Sequence, residues 1–170
     1  MSNFRRPFRL NVGFIAHEEV GYTHDFTFEF PTIRIGDDLE LAGFNGIVNV
    51  GRTPQGLLFT GNFRSGTVLE CVRCLRPFEQ ELRWTLSELY AFTSKSVSDS
   101  GLILPVDAQV DIEPLIREYA LLEIPINPIC RIDCLGLCPI CGEDLNVRDC
   151  GHRPGRGASP FAALRDFLSE

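Results

Sequence analysis

Histidine, lysine and long apolar runs are all scarce in this chain, and each scarcity removes a class of function. Only three histidines occur in 170 residues, and two of them, His17 and His24, lie near the N-terminus. A catalytic zinc keeps an open coordination position and draws on histidine or carboxylate ligands, so that chemistry has few residues to use. No paired carboxylates, nucleophile–base set or phosphate loop stands out. No enzymatic activity and no small-molecule substrate are expected. The longest apolar runs fall well short of the roughly 18 residues of a membrane span, and M-S-N-F-R-R-P lacks the apolar core of a leader peptide. A cytoplasmic protein with no membrane partner is expected.

Positive charge is short as well. Sixteen basic residues face 23 acidic ones, a formal net charge of −7, which argues against wholesale electrostatic binding of nucleic acid. Thiolates on a metal would deepen the deficit, since four on one divalent ion carry about −2. Lys95 is the single lysine. The remaining positive charge is arginine, the better fork for phosphate and the better plate for a base, so any RNA contact must come from local arginine groups.

Cysteine, by contrast, is concentrated. Cys130-x3-Cys134-x3-Cys138-x2-Cys141 places four thiols within twelve residues, with Cys150 and His152 following. Seven cysteines are an odd count, which speaks against a disulfide framework. The run C-P-I-C-G is a thiolate knuckle: Pro139 fixes φ between the two ligands and Gly142 permits the left-handed turn behind them. Structural zinc is the expected cofactor, one ion in the first instance. Cys138 and Cys141 belong to each single-ion arrangement. Their partners are Cys130 and Cys134, which close a short loop, or Cys71 and Cys74, whose C-x-x-C at a hairpin tip would meet them as in a zinc ribbon. The local set is taken first, with Cys150 and His152 in reserve; two ions sharing all eight donors is a further arrangement. A thiol redox protein is the weaker alternative, because a hairpin offers no helix dipole to activate a C-x-x-C.

Periodicity supplies the scaffold. Phe26, Phe28 and Phe30 alternate with polar residues up to Pro31, and a meander follows. One strand is predicted over 39–50, broken by Gly43 and Gly46; a second covers 57–63, with a turn or bulge at 64–66 before 67–71. The strand over 78–87 carries Phe78, Leu82, Trp84 and Leu86 on one face. Asp111 is a candidate cap for a helix that carries Ile112, Leu115, Ile116, Tyr119 and Leu122 and stops at Pro125, with Glu113, Glu118 and Glu123 outward. Ser159 and Pro160 open a last short helix with Phe161, Leu164 and Leu168. The fold class is α+β: an antiparallel, partly closed β-meander packed by an amphipathic helix. The expected domains are a β-rich core over 1–125, a Cys-rich zinc module over 126–152, and a basic tether with a C-terminal helix over 153–170.

Four of these motifs, L-E-C-V-R-C-L-R-P-F at 69–78, L-L-E-I-P at 121–125, C-R-I-D-C-L-G-L-C-P-I-C-G-E-D-L-N at 130–146 and S-P-F-A-A-L-R-D-F-L at 159–168, occur in an order that resembles the YceD family of large ribosomal RNA subunit accumulation proteins. The resemblance implies a bacterial, non-catalytic factor supporting synthesis, processing or stability of 23S ribosomal RNA. The implied partner is a ribosomal RNA precursor or large-subunit assembly intermediate. Arg73 and Arg76 on the hairpin tip, with Arg131, Arg148, Arg153 and Arg156 around the cysteines, are the candidate RNA contacts. The competing use for these arginines is pairing with Glu79, Asp133, Asp144 and Asp149. In the alternative function, the acidic surface and last helix form an adaptor for a ribosomal protein or assembly factor.

Overall fold

The computed structural model describes residues 6–152 and divides into two compact units. The first comprises residues 6–69 and 79–126, the second residues 70–78 and 127–152 of those described. The hairpin tip thus belongs with the cysteine-rich tail, whereas the sequence alone drew that module as 126–152. Arg153, Arg156 and the expected terminal helix lie outside the described residues.

The first unit is built on a four-stranded sheet in the order β2 (Thr23–Ile35), β3 (Leu39–Arg52), β4 (Gly56–Glu70) and β5 (Pro77–Ala91). β2 pairs antiparallel with β3, and β3 with β4. A small antiparallel pair, β1 (Arg9–Asn11) with β6 (Gln109–Asp111), and two helices, α1 (Gly13–Ala16) and α2 (Glu113–Leu122), complete it. Mostly antiparallel sheet with few helices is the α+β class. Two strands run on where a break is expected. β2 continues through Pro31, which a sheet tolerates because β2 is an edge strand and a missing N–H there removes no interior ladder bond. β4 continues through residues 64–66 because Ser65 and Thr67, both buried, donate their hydroxyls at 2.9 Å to the carbonyls of Ala42 and Glu40. Those bonds satisfy two inward polar groups, and the strand needs no turn.

The irregularity lies opposite, in β3. Its buried residues are odd-numbered at Leu39 and Leu41 but even-numbered at Phe44, Val48 and Val50. Strict alternation would send one set to solvent. A register shift between Ala42 and Asn45, with Gly43 at φ 59°, inserts the extra residue that keeps both on the core face.

That core is aromatic. Phe44 packs at centroid distances of 5.5 Å from Phe8, 5.7 Å from Phe63 and 6.1 Å from Trp84, and Phe63 stacks on Trp84 at 5.4 Å. The Phe63 ring fits because the chain has no side chain beside it: a Cβ on Gly46 would stand 2.3 Å from the ring and one on Gly61 2.6 Å. Gly46→Ala is expected to destabilise the sheet unit by about 1–3 kcal/mol through overpacking, read as a lower denaturant midpoint. Ile116 and Ala120 of α2 are buried members of the same cluster, while Glu118 and Glu123 are exposed and Glu113 is half-buried. Asp111 sits one residue before the cap position, Ile112, yet its Oδ1 still accepts the Glu113 N–H at 3.0 Å.

Candidate metal centres

All eight candidate donors come together in the second unit, as two sets of four. Cys71, Cys74, Cys130 and Cys134 form one, and Cys138, Cys141, Cys150 and His152 the other; within each set the ligand atoms lie within 4.8 Å of one another. The grouping of Cys130 and Cys134 with Cys138 and Cys141 is not the one this structure brings together, and neither is a ribbon pairing Cys71 and Cys74 with Cys138 and Cys141. A short loop does little to favour local closure, because closure entropy grows only slowly with length. The chain also changes direction between Cys134 and Cys138. Gly136 holds φ at 75° there, and a Cβ on it would sit 2.9 Å from the Arg73 carbonyl oxygen, an approach only glycine allows.

Both C-x-x-C pairs take the same local form. In the second, Gly142 at φ 75° donates its N–H to the Cys138 carbonyl at 2.9 Å. In the first, Leu75 stands where that glycine would be, at φ 57°, and donates to the Cys71 carbonyl at 2.8 Å. A left-handed leucine is strained by on the order of 1 kcal/mol, so something beyond local preference holds the first knuckle in its turn. The hydrogen-bond pattern supplies it: Leu137 N–H donates to the Arg73 carbonyl at 2.9 Å and Val72 N–H to that of Pro128 at 2.9 Å, tying the tip to the tail on two sides.

The donor chemistry fits a metal. Four sulfurs at about 2.3 Å from a tetrahedral ion stand about 3.8 Å apart; Cys71 and Cys134 sulfurs lie 3.9 Å apart, and those of Cys74 and Cys130 3.7 Å. Cys71, Cys74, Cys134 and Cys138 are buried. Burial works against ionisation of Cys71, yet backbone N–H groups at Cys130, Cys74 and Arg73 bring it down to about 6. Backbone N–H groups at Cys141 and Ile140 likewise hold Cys138 at about 6. Burial and the neighbouring thiols push Cys130 up to about 12. Each set thus contains a thiol poised to ionise, Cys71 in one and Cys138 in the other, and bringing further thiolates beside it is unfavourable without a cation.

Around the sulfurs runs a polar network that the sequence did not disclose. The Asn146 Nδ2 amide donates toward the Cys134 sulfur at 3.5 Å and to Asp144 Oδ1 at 2.7 Å, and Asn146 Oδ1 accepts from Leu135 N–H and Arg131, both at 2.8 Å. Asp144 is held below the usual carboxylate range first by the Asn146 backbone N–H, and further by the Asn146 side chain and the charge of Arg76. The only signal available in sequence was the D-x-N spacing within E-D-L-N, a common Asx turn.

The arginines are engaged as well. Arg76 pairs with Asp144 at 2.5 Å, Arg131 with Asp133 at 3.5 Å, and Arg73 donates to the Cys134 carbonyl at 2.9 Å. Arg148 is exposed, with no ion pair among the described residues. Glu79 and Asp149, the other expected partners, pair with none of these arginines among the described residues.

The family model described as Large ribosomal RNA subunit accumulation protein YceD matches residues 59–168. This chain belongs to the YceD family. An uncharacterized protein of Mycobacterium tuberculosis is 37% identical over 125 residues, covering 71% of this chain and 60% of that one. One from Mycobacterium leprae is 33% identical over 144 residues, 80% of this YceD chain and 66% of the relative. The chain thus spans about three fifths to two thirds of the mycobacterial proteins it resembles. The Arabidopsis thaliana protein named Large ribosomal RNA subunit accumulation protein YCED homolog 1, chloroplastic, is 38% identical over 69 residues, 39% of this chain and 22% of its own length. No solved structure matches the chain.

Proposed function

We propose that this YceD protein is a non-catalytic ribosome-biogenesis factor that supports synthesis, processing or stability of 23S ribosomal RNA, with two structural zinc ions building the surface it uses. Family membership and the names of the plant relatives support the ribosomal direction. The observation that carries the mechanism is the joining of Cys71 and Cys74 to Cys130 and Cys134, which puts the arginines of the hairpin tip and tail into one unit. Zinc suits a tetrathiolate set and a Cys3His set, both closed coordination spheres with no open position for catalysis. When bound, it supplies charge neutralisation and cross-linking only. Arg73, Arg76 and Arg131 are fixed by bonds to carbonyls and carboxylates, and such guanidinium groups keep further donors for phosphate oxygens.

The test is Arg73→Glu/Arg76→Glu in a protein whose metal content is shown to be unchanged. Binding to ribosomal RNA precursor, followed by gel shift, is expected to be lost; unchanged affinity would overturn the RNA contact. A second reading, an adaptor for a ribosomal protein or assembly factor, is favoured by the exposed apolar side chains of the same unit, Ile132, Val147, Leu135, Ile140, Leu75 and Val72, all more than half exposed. Co-purification of a ribosomal protein that survives nuclease treatment would select that reading.

A further inference from the structure

We propose that Asn146 couples the two donor sets, so that a metal at Cys138, Cys141, Cys150 and His152 tightens binding at Cys71, Cys74, Cys130 and Cys134. The inference rests on the reading that both sets hold zinc. Asn146 belongs by chain position to the second set: it lies between Cys141 and Cys150, on a loop whose two ends are ligands of that set. By its contacts it belongs to the first. Its amide N–H points at the Cys134 sulfur at 3.5 Å, and its Oδ1 accepts from Leu135 N–H and Arg131, the residues that directly follow Cys134 and Cys130.

The loop is held in register by Leu145 N–H on the Gly136 carbonyl at 2.9 Å and Cys138 N–H on the Glu143 carbonyl at 2.8 Å. It also carries Asp144, the partner of Arg76 on the hairpin tip. A metal in the second set pins both ends of this loop. Pinning it fixes the one side-chain N–H donor that, among the described residues, is aimed at a sulfur of the first set, and an N–H to a coordinating thiolate stabilises the charged, metal-bound form. Coupling of this kind is reciprocal: each ion raises the affinity of the other by the same factor.

The experiment titrates the reduced, metal-free full chain with cobalt against a competing chelator, because cobalt absorption distinguishes four thiolates from three thiolates and an imidazole. Four proteins are compared: wild type, Cys150→Ser, Asn146→Ala and the double variant. Loss of the second set through Cys150→Ser is expected to weaken the tetrathiolate set about tenfold, the usual effect of removing an outer hydrogen bond. With Asn146 already alanine, the same change is expected to have no further effect on the tetrathiolate set. Asn146→Asp retains an acceptor for Leu135 and Arg131 but has no N–H for the sulfur, and is expected to behave like Asn146→Ala. Equal weakening with and without Asn146, no weakening at all, or wild-type affinity in Asn146→Asp would each overturn the coupling while leaving two metal sites intact. Fewer than two cobalt ions in the wild type would instead overturn the two-zinc reading, and the coupling with it.

Discussion

Removing the proposed zinc ions is expected to unfold the second unit and leave the sheet unit folded. Its described residues bury only Cys71, Cys74 and Cys134 as a cluster, with Phe78, Ile129 and Cys130 against them. Too little apolar area is removed from water there to offset the ordering of some 35 residues, and structural zinc in such modules contributes on the order of 10 kcal/mol per ion. The sheet unit draws on none of the eight donors; its buried cluster runs through Phe8, Phe44, Phe59, Leu41, Ile112 and Ile116. Amide exchange before and after chelation would show protection lost at 70–78 and 127–152 and retained in β2, β3 and β4. Equal protection in both forms would mean that the metal is dispensable to the fold.

The pH dependence has a definite sign. Cys130, pushed up to about 12, must lose its proton when a metal binds, so affinity rises with pH around neutrality. Below about 6, protons also compete for Cys71 and Cys138, and the ions are expected to leave together with the order of the unit.

The second large effect is expected in the other unit. Phe44 is fully buried and meets Phe8, Phe30, Phe63 and Trp84 at ring-centroid distances between 5.5 and 6.1 Å. Truncation to alanine leaves a cavity that four rings cannot collapse around, and about 3–5 kcal/mol of stability should go with it. A domain of this size has only about 5–15 kcal/mol in hand, so Phe44→Ala should bring the unit close to unfolding at physiological temperature. Calorimetry checks this, and a loss below about 1 kcal/mol would mean that the aromatic cluster relaxes as a fluid would.

Much of the scaffold was legible because hydrophobic periodicity is local. The face carrying Leu82, Trp84 and Leu86 and the burial of Ile112 and Ile116 follow from spacing alone, whereas Leu122, expected on the same helix face, is exposed and Ala120 is buried in addition. What misled was punctuation. Pro31 reads as a strand end unless β2 is known to lie at the edge, and R-S-G at 64–66 reads equally as a turn or a bulge until β3 is known to lie opposite, where the extra residue sits. Both corrections depend on neighbours distant in sequence. The candidate metal ligands divide the same way. The eight donors announce themselves by residue type and spacing, and Gly142 by its place in C-P-I-C-G. Their division into two sets depends on where the tail crosses the hairpin tip, a contact between residues about 60 apart for which local spacing carries no signal. Asn146 was hidden for a related reason: asparagine in a turn is commonplace, and only the sulfur beside it makes this one particular.

The donor sets also impose a timetable on synthesis. Cys71 and Cys134 lie 63 residues apart, which a ribosome spans in about 3–13 s at ordinary elongation rates of about 5–20 residues per second. Throughout that interval the hairpin tip carries two bare thiols, and the tail that holds Leu75 in its left-handed turn has yet to be made. The tetrathiolate set becomes complete first, once Cys134 has emerged, and the second closes only when His152 follows. A nascent chain of this protein is therefore most exposed to oxidation and to capture of the wrong metal in the window between its two cysteine-bearing segments.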